Sequence, residues 1–259
     1  MPQFEHNRAS IHYESVGQGK PLLFIAGTAS DGASWSPILP LLRGRQLILI
    51  DNRGSGRTKV EGPIEITEMA DDAAALLDHL ALSRVDVVGH SLGGFIALML
   101  ALRQPGKVGR LVTMGSGQMS AASRVLFHDL ARLYFTMVPQ DWFRILYQFL
   151  FSDPFFADET RVAQAAEGST RYPFRQTPGD FARQVAAIDR LDAVDLSQVA
   201  CPTLAIAGEL DLLARPGAVR SMHAPIRGVR QLTIAGAAHS IHWEKPQETA
   251  AAIKDFLES

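Results

Sequence analysis

Cysteine is nearly absent from this chain: Cys201 is the only one in 259 residues, which excludes an internal disulfide framework. An excess of either charge is missing too. With 25 Lys and Arg against 27 Asp and Glu, the net charge is −2. No run of Lys or Arg is dense enough to follow a phosphate backbone, so nucleic acid is not an expected partner. Long apolar runs are lacking as well. The longest, FIALMLAL, falls far short of the roughly 20 residues a bilayer span requires, and no membrane association is expected. The opening MPQFEHNRASIHYE carries neither the basic nor the apolar region of a secretory signal, so a cytoplasmic location is expected. Hydrophobic residues at 47% and charged residues at 20% are ordinary for a folded globular protein. A chain of this length can bury one large core, or one core carrying a smaller inserted module.

What is present is an alternation of short apolar runs with longer helical patterns. PLLFIAG (21–27), QLILID (46–51), VDVVG (85–89), RLVTMG (110–115), PTLAIAG (202–208) and QLTIAG (231–236) read as strands. They lack polar alternation, which predicts a mostly parallel, doubly wound α/β sheet with helices on both faces. ITEMADDAAALLDHLAL reads as one such helix, with Thr67 as cap and Met69, Ala73, Leu76, Leu77 and Leu80 along one face. A second runs through FIALMLALRQP and ends near Pro105, and the last begins at Pro246. The start alternates more and turns at Asn7 and Arg8, which predicts an antiparallel hairpin at the sheet edge.

The rhythm breaks between about 118 and 196, where only helical segments appear, interrupted at Pro139, Pro154, Pro173 and Pro178. The expected organisation is therefore a core in two parts, 1–117 and 197–259, with a helical insertion at 118–196. That insertion holds 13 of the 20 aromatic residues, enough for a small core of its own with a few left to line a pocket. Trp142, Phe143 and Phe135, together with His242 from the second core segment, are the candidate pocket residues.

In VDVVGHSLGG the pattern GxSxG follows a strand and opens a helix, the context that marks a nucleophile elbow. The turn would lift the Ser91 hydroxyl off the carboxyl edge of the sheet, and the helix starting at Leu92 presents unpaired N–H groups to developing negative charge. A serine hydroxyl needs a base, and the base needs an orienting group. Asp211 lies just past PTLAIAG and His239 just past QLTIAG, so both fall on the same sheet edge as Ser91, where open α/β proteins place their sites.

These residues resemble the α/β-hydrolase superfamily, in its serine-nucleophile esterase and enol-lactonase-like branch. The resemblance spans essentially the whole chain and rests on GHSLGG, DNRGSGRT (51–58), GELDLLARP (208–216) and AAHSIHWEKP (237–246). It implies Ser91 as nucleophile, His239 as general base and then acid, and Asp211 as the residue holding the imidazole. It implies that 118–196 is a lid, that no cofactor is needed, and that the partner is a small-molecule substrate. The first oxyanion donor would be the backbone N–H of Leu92 and the second that of Thr28. Two departures stand out: Ala26 occupies the position where relatives have His before Gly27, and Ala238 precedes His239 where Gly is common.

Rival assignments exist at several positions. Glu209 competes with Asp211, and His242 with His239; the two histidines at i,i+3 could also be a metal pair, but no third ligand accompanies them. His90 is expected to pack against the core, and Arg53 to brace loops. Serine in the elbow points to hydrolysis of an ester, thioester or lactone and away from the dehalogenase and epoxide-hydrolase branches, which place Asp there. Carbon–carbon bond hydrolases of ring-cleavage products share features of GTASDGASWSP but differ at His90 and Ser240. A receptor on the same fold is the reading from another class. The sequence is silent on oligomeric state.

Overall fold

The computed structural model describes residues 2–191 and 194–259. Eight strands form one sheet: β1 (Gln3–His6), β2 (Ala9–Val16), β3 (Lys20–Ile25), β4 (Arg45–Ile50), β5 (Val85–His90), β6 (Val108–Met114), β7 (Thr203–Gly208) and β8 (Arg230–Ile234). Their order is β1-β2-β4-β3-β5-β6-β7-β8. β1 and β2 pair antiparallel about the turn at Asn7 and Arg8, both at positive φ, and β2 pairs antiparallel with β4. All remaining pairs are parallel. This is an α/β-hydrolase fold with helices on both faces of a mostly parallel sheet.

Because successive strand side chains point to opposite faces, each central strand feeds two cores. Leu23 and Ile25 of β3 and Val85 and Val87 of β5 pack with α1 (Ile66–His79) and α2 (Leu92–Arg103). Leu22, Phe24 and Val88 pack on the other face with Trp35 and with α10 (Pro246–Glu258), near Ile253 and Phe256. Fully burying one such aliphatic side chain contributes about 1.5–3 kcal/mol, so both faces must be apolar. Two expectations need correction. β8 is not covered on both faces: Arg230 to Thr233 are exposed and only Ile234 is buried. It is an edge strand, and the Arg230–Asp255 ion pair gives it the charge that discourages edge-to-edge pairing. Thr67 is not the cap of α1. The helix begins at Ile66 after Glu65, because Ile66 is drawn into the core as part of the first turn.

Among the described residues, five α-helices lie between β6 and β7: α3 (Ala121–Tyr134), α4 (Pro139–Leu150), α5 (Asp153–Phe156), α6 (Glu159–Arg171) and α7 (Pro178–Asp189). They carry a separate apolar cluster built on Leu130, Tyr134, Trp142, Leu146 and Phe181. Pro139 and Pro178 stand in the first turns of α4 and α7, where the missing N–H costs nothing, so they start helices as well as separating them. Two further short helices follow β7 and β8: α8 (Pro216–His223) and α9 (Ile241–Glu244). Among the described residues, no helix is long and apolar enough to cross a membrane.

Gly93, in the first turn of α2, sits against the end of β3. A Cβ there would lie 2.0 Å from the Ile25 carbonyl oxygen and 2.7 Å from that of Ala26, both backbone atoms that cannot swing aside. Gly93→Ala is therefore expected to destabilise by about 3 kcal/mol, the upper end of overpacking costs. Gly106→Ala, with nothing within 4 Å, serves as the control. Urea unfolding of both variants checks this.

Candidate active site

Ser91 follows β5 directly and precedes α2, at φ 52° and ψ −118°. A positive φ is uncommon for a side chain larger than glycine's and marks local strain held by the surroundings. Those surroundings are visible: the Ser91 N–H donates to the Met114 carbonyl at 2.8 Å, and the Ser91 carbonyl accepts from Ser116 Oγ at 2.8 Å and from the Gly94 N–H at 3.0 Å. Leu92 is the first residue of α2, so its N–H is among those a helix leaves unpaired.

Asp211 follows β7 and His239 follows β8. His239 Nδ1 and Asp211 Oδ2 are 2.8 Å apart, and both side chains are buried. Asp211 Oδ1 accepts the N–H groups of Leu213 and Ala214, each at 2.8 Å. Burial is the largest influence on the Asp211 carboxyl and pushes its pKa up. His239 and the two backbone donors together outweigh it and hold the pKa below the usual carboxylate value. An ionised carboxylate only accepts, so His239 Nδ1 carries a proton, and in the neutral ring it is Nε2 that keeps the free lone pair. Glu209 does not compete: its Oε2 accepts the Gly236 N–H at 2.8 Å in an exposed turn.

Two further side chains hold the His239 loop. His90 Nε2 donates to the His239 carbonyl at 2.9 Å. Glu244 ties the loop to the inserted helices: its Oε2 accepts from the Ala238 N–H at 2.6 Å, and its Oε1 from the Ser152 N–H at 2.8 Å and hydroxyl at 2.6 Å. Arg53, expected to brace loops, is buried in a two-pronged pair with Asp72 at 2.6 and 2.9 Å. Among the described residues, no group of three His, Cys, Asp or Glu is placed to hold a metal.

Ser91 and His239 face one cavity of about 850 Å³ between the sheet edge and the inserted helices. Thr28, Phe143 and His242 line it. Trp142 and Phe135 do not, contrary to expectation. Trp142 is wholly buried, stacked on Tyr134 with ring centroids 3.8 Å apart and its Nε1 donating to the Leu130 carbonyl, so it serves the helical module's own core. Phe135 lies just past the end of α3 and is 63% exposed, because Leu130, Ala131 and Tyr134 take that helix's inward face. Sequence reasoning missed Asp31, Tyr172 and Gln176 at the cavity. They are isolated polar residues in connecting segments, with no periodic signal to mark them.

Burial presses the pKa of His90 down to about 3 and that of His242 well below its ordinary value, with neighbouring histidines adding to both effects. Both rings stay neutral in the folded chain but take up a proton on unfolding below about pH 6.5. Stability is thus full above pH 6.5 and falls as pH drops below it, towards 3 in the case of His90, by up to about 1.4 kcal/mol per pH unit for a ring that stays neutral when folded. Urea unfolding near pH 7 and near pH 5 checks this, and His90→Gln is expected to flatten the slope.

The family model described as alpha/beta hydrolase fold matches residues 20–246. The chain belongs to that family. It is 31% identical over 218 residues to "Putative carbamate hydrolase RutD" of Azorhizobium caulinodans, covering 82% of each chain. It is 30% identical over 262 residues to "Putative non-heme bromoperoxidase BpoC" of Mycobacterium tuberculosis, covering 96% of this chain and 98% of that one. Among solved structures it superposes on Est816, described as an N-acyl homoserine lactone degrading enzyme, with a TM-score of 0.80 and 27% identity, over 98% of this chain and 100% of that one.

Proposed function

We propose that this protein is a serine hydrolase that cleaves a carboxylic ester or lactone of a small, largely apolar substrate through an acyl-enzyme. The observation that carries the reading is Ser91, strained at φ 52° and facing the same cavity as a His239 ring whose Nδ1 is bonded to Asp211. Ser91 Oγ attacks the carbonyl carbon while His239 Nε2 takes its proton. The negative charge that forms on the carbonyl oxygen meets the N–H groups of Leu92 and Thr28. His239 then gives the proton to the departing alcohol oxygen as the bond to it breaks. Water, deprotonated by His239, attacks the acyl carbon and releases the acid, returning the proton to Ser91. In a lactone the alcohol and the acid stay in one molecule.

The apolar wall of Phe143, Leu146, Tyr147 and Phe151 supports the choice of an apolar substrate. The described activity of Est816 supports including lactones. A panel of ester, lactone and dienone substrates tests the reading. Sustained turnover of esters or lactones is expected; turnover confined to the dienones would favour carbon–carbon cleavage, and one round of reaction followed by a stall would favour a receptor.

A further inference from the structure

In the proposed mechanism the segment after β3, Gly27 to Asp31, presents the Thr28 N–H to the oxyanion. Its conformation is unusual. Ala29 has φ 61°, in the left-handed region where a Cβ is disfavoured, directly after the proposed donor. Something outside the segment has to hold it there. Within the core, Asn52 Nδ2 donates to the Ala26 carbonyl at 2.8 Å, and Ser30 Oγ donates to the Gly27 carbonyl at 3.0 Å. Neither touches Ala29.

The group that does comes from the inserted helices. The Ala29 N–H donates to Gln176 Oε1 at 3.0 Å. Gln176 lies between α6 and α7 and is buried. Its Nε2 donates to the Gly54 carbonyl at 2.8 Å, and its own carbonyl accepts from Tyr134 Oη at 2.9 Å. The Ala29 N–H can only donate and the Gly54 carbonyl can only accept, so the amide has one satisfactory orientation. The same connection makes a second contact two residues further on, where Tyr172 Oη donates to Asp31 Oδ2 at 2.8 Å.

We infer that Gln176 is a positioning residue for the oxyanion hole, so that the inserted helices complete the catalytic machinery as well as covering it. The inference rests on the serine-hydrolase reading for its catalytic consequence, but not for its structural one. Without the Gln176 acceptor, Ala29 is free to relax to negative φ. That relaxation turns the Thr28–Ala29 peptide and moves Thr28 off the position facing Ser91.

The test is Gln176→Met, close in size but without the amide, with Gln176→Asn as the second variant. Asparagine keeps an amide but shortens its reach by one methylene, and it serves if the first does not fold. Removing an oxyanion donor outright costs about 10²- to 10³-fold in kcat, and a displaced donor is expected to cost about 10- to 100-fold. KM should stay within about twofold, because the lost interaction forms only in the transition state. A crystal structure of the variant should show Ala29 at negative φ. A raised KM with unchanged kcat would reduce Gln176 to a packing role and overturn the inference. So would a variant structure with Ala29 still at positive φ and Thr28 unmoved, which decides the matter even if the wild type turns over none of the substrates tried. Failure of the wild type to turn over would count against the serine-hydrolase reading alone.

Discussion

Ser91→Ala is expected to lower kcat on the order of 10⁶-fold while leaving the fold in place, since in the proposed mechanism Ser91 is the nucleophile and its removal takes away the whole covalent route. The fold should survive because the contacts that hold residue 91 are backbone ones. Its N–H bonds Met114 and its carbonyl accepts from Ser116 and Gly94, and all three persist with alanine. Alanine also tolerates a positive φ about as poorly as serine does, so thermal stability should change little. The check is kcat on the best ester or lactone substrate beside a melting curve for each protein. A large loss of stability would mean that the hydroxyl serves the fold, and wild-type turnover in the variant would remove Ser91 from the reaction.

Asp211→Asn is expected to cost about 10⁴-fold in kcat with the geometry retained. The reason lies in the hydrogen bonds. Oδ1 accepts from the N–H groups of Leu213 and Ala214, so an asparagine there must keep its oxygen on that side and turn its NH₂ towards His239. A donor facing Nδ1 requires that nitrogen to be unprotonated, which moves the ring proton to Nε2. That is the atom to which the proposed mechanism passes the Ser91 proton. Nitrogen-15 NMR of the His239 ring should show the change of tautomer alongside the rate loss, and activity within tenfold of wild type with an unchanged tautomer would contradict the argument.

The sheet was legible in the sequence because its central strands are buried on both faces. VDVVG and PTLAIAG contain little besides small and β-branched apolar residues, and both are fully buried strands. QLTIAG looks the same in sequence but forms an exposed edge strand, since its place in the sheet order is set by tertiary packing and leaves no mark in so short a run. The positions of Ser91, Asp211 and His239 could be read from strand ends and spacing. The cavity wall could not. Aromatic residues serve a module's own core and a pocket equally well, so nothing in the sequence sends Trp142 to the module's core, Phe135 to the surface and Phe143 to the cavity wall. Gln176 was invisible for a different reason: its importance lies in two long-range backbone contacts, to Ala29 and Gly54.

The His90 ring lies against those of His239, His242 and Trp35, with the His90 and His239 ring centroids 4.9 Å apart. Because burial keeps His90 and His242 neutral, no second positive charge opposes the imidazolium that the proposed mechanism forms on His239. His90 as a neutral donor to the His239 carbonyl fixes that loop without entering the proton transfer.

The central claim is that Ser91 becomes acylated during turnover. The most direct measurement is mass spectrometry of the protein mixed with an activated ester and quenched in acid within the first turnover. The account predicts one added acyl group, on the peptide containing Ser91, that disappears as product accumulates. Steady turnover with no adduct, or an adduct on another residue, would contradict it.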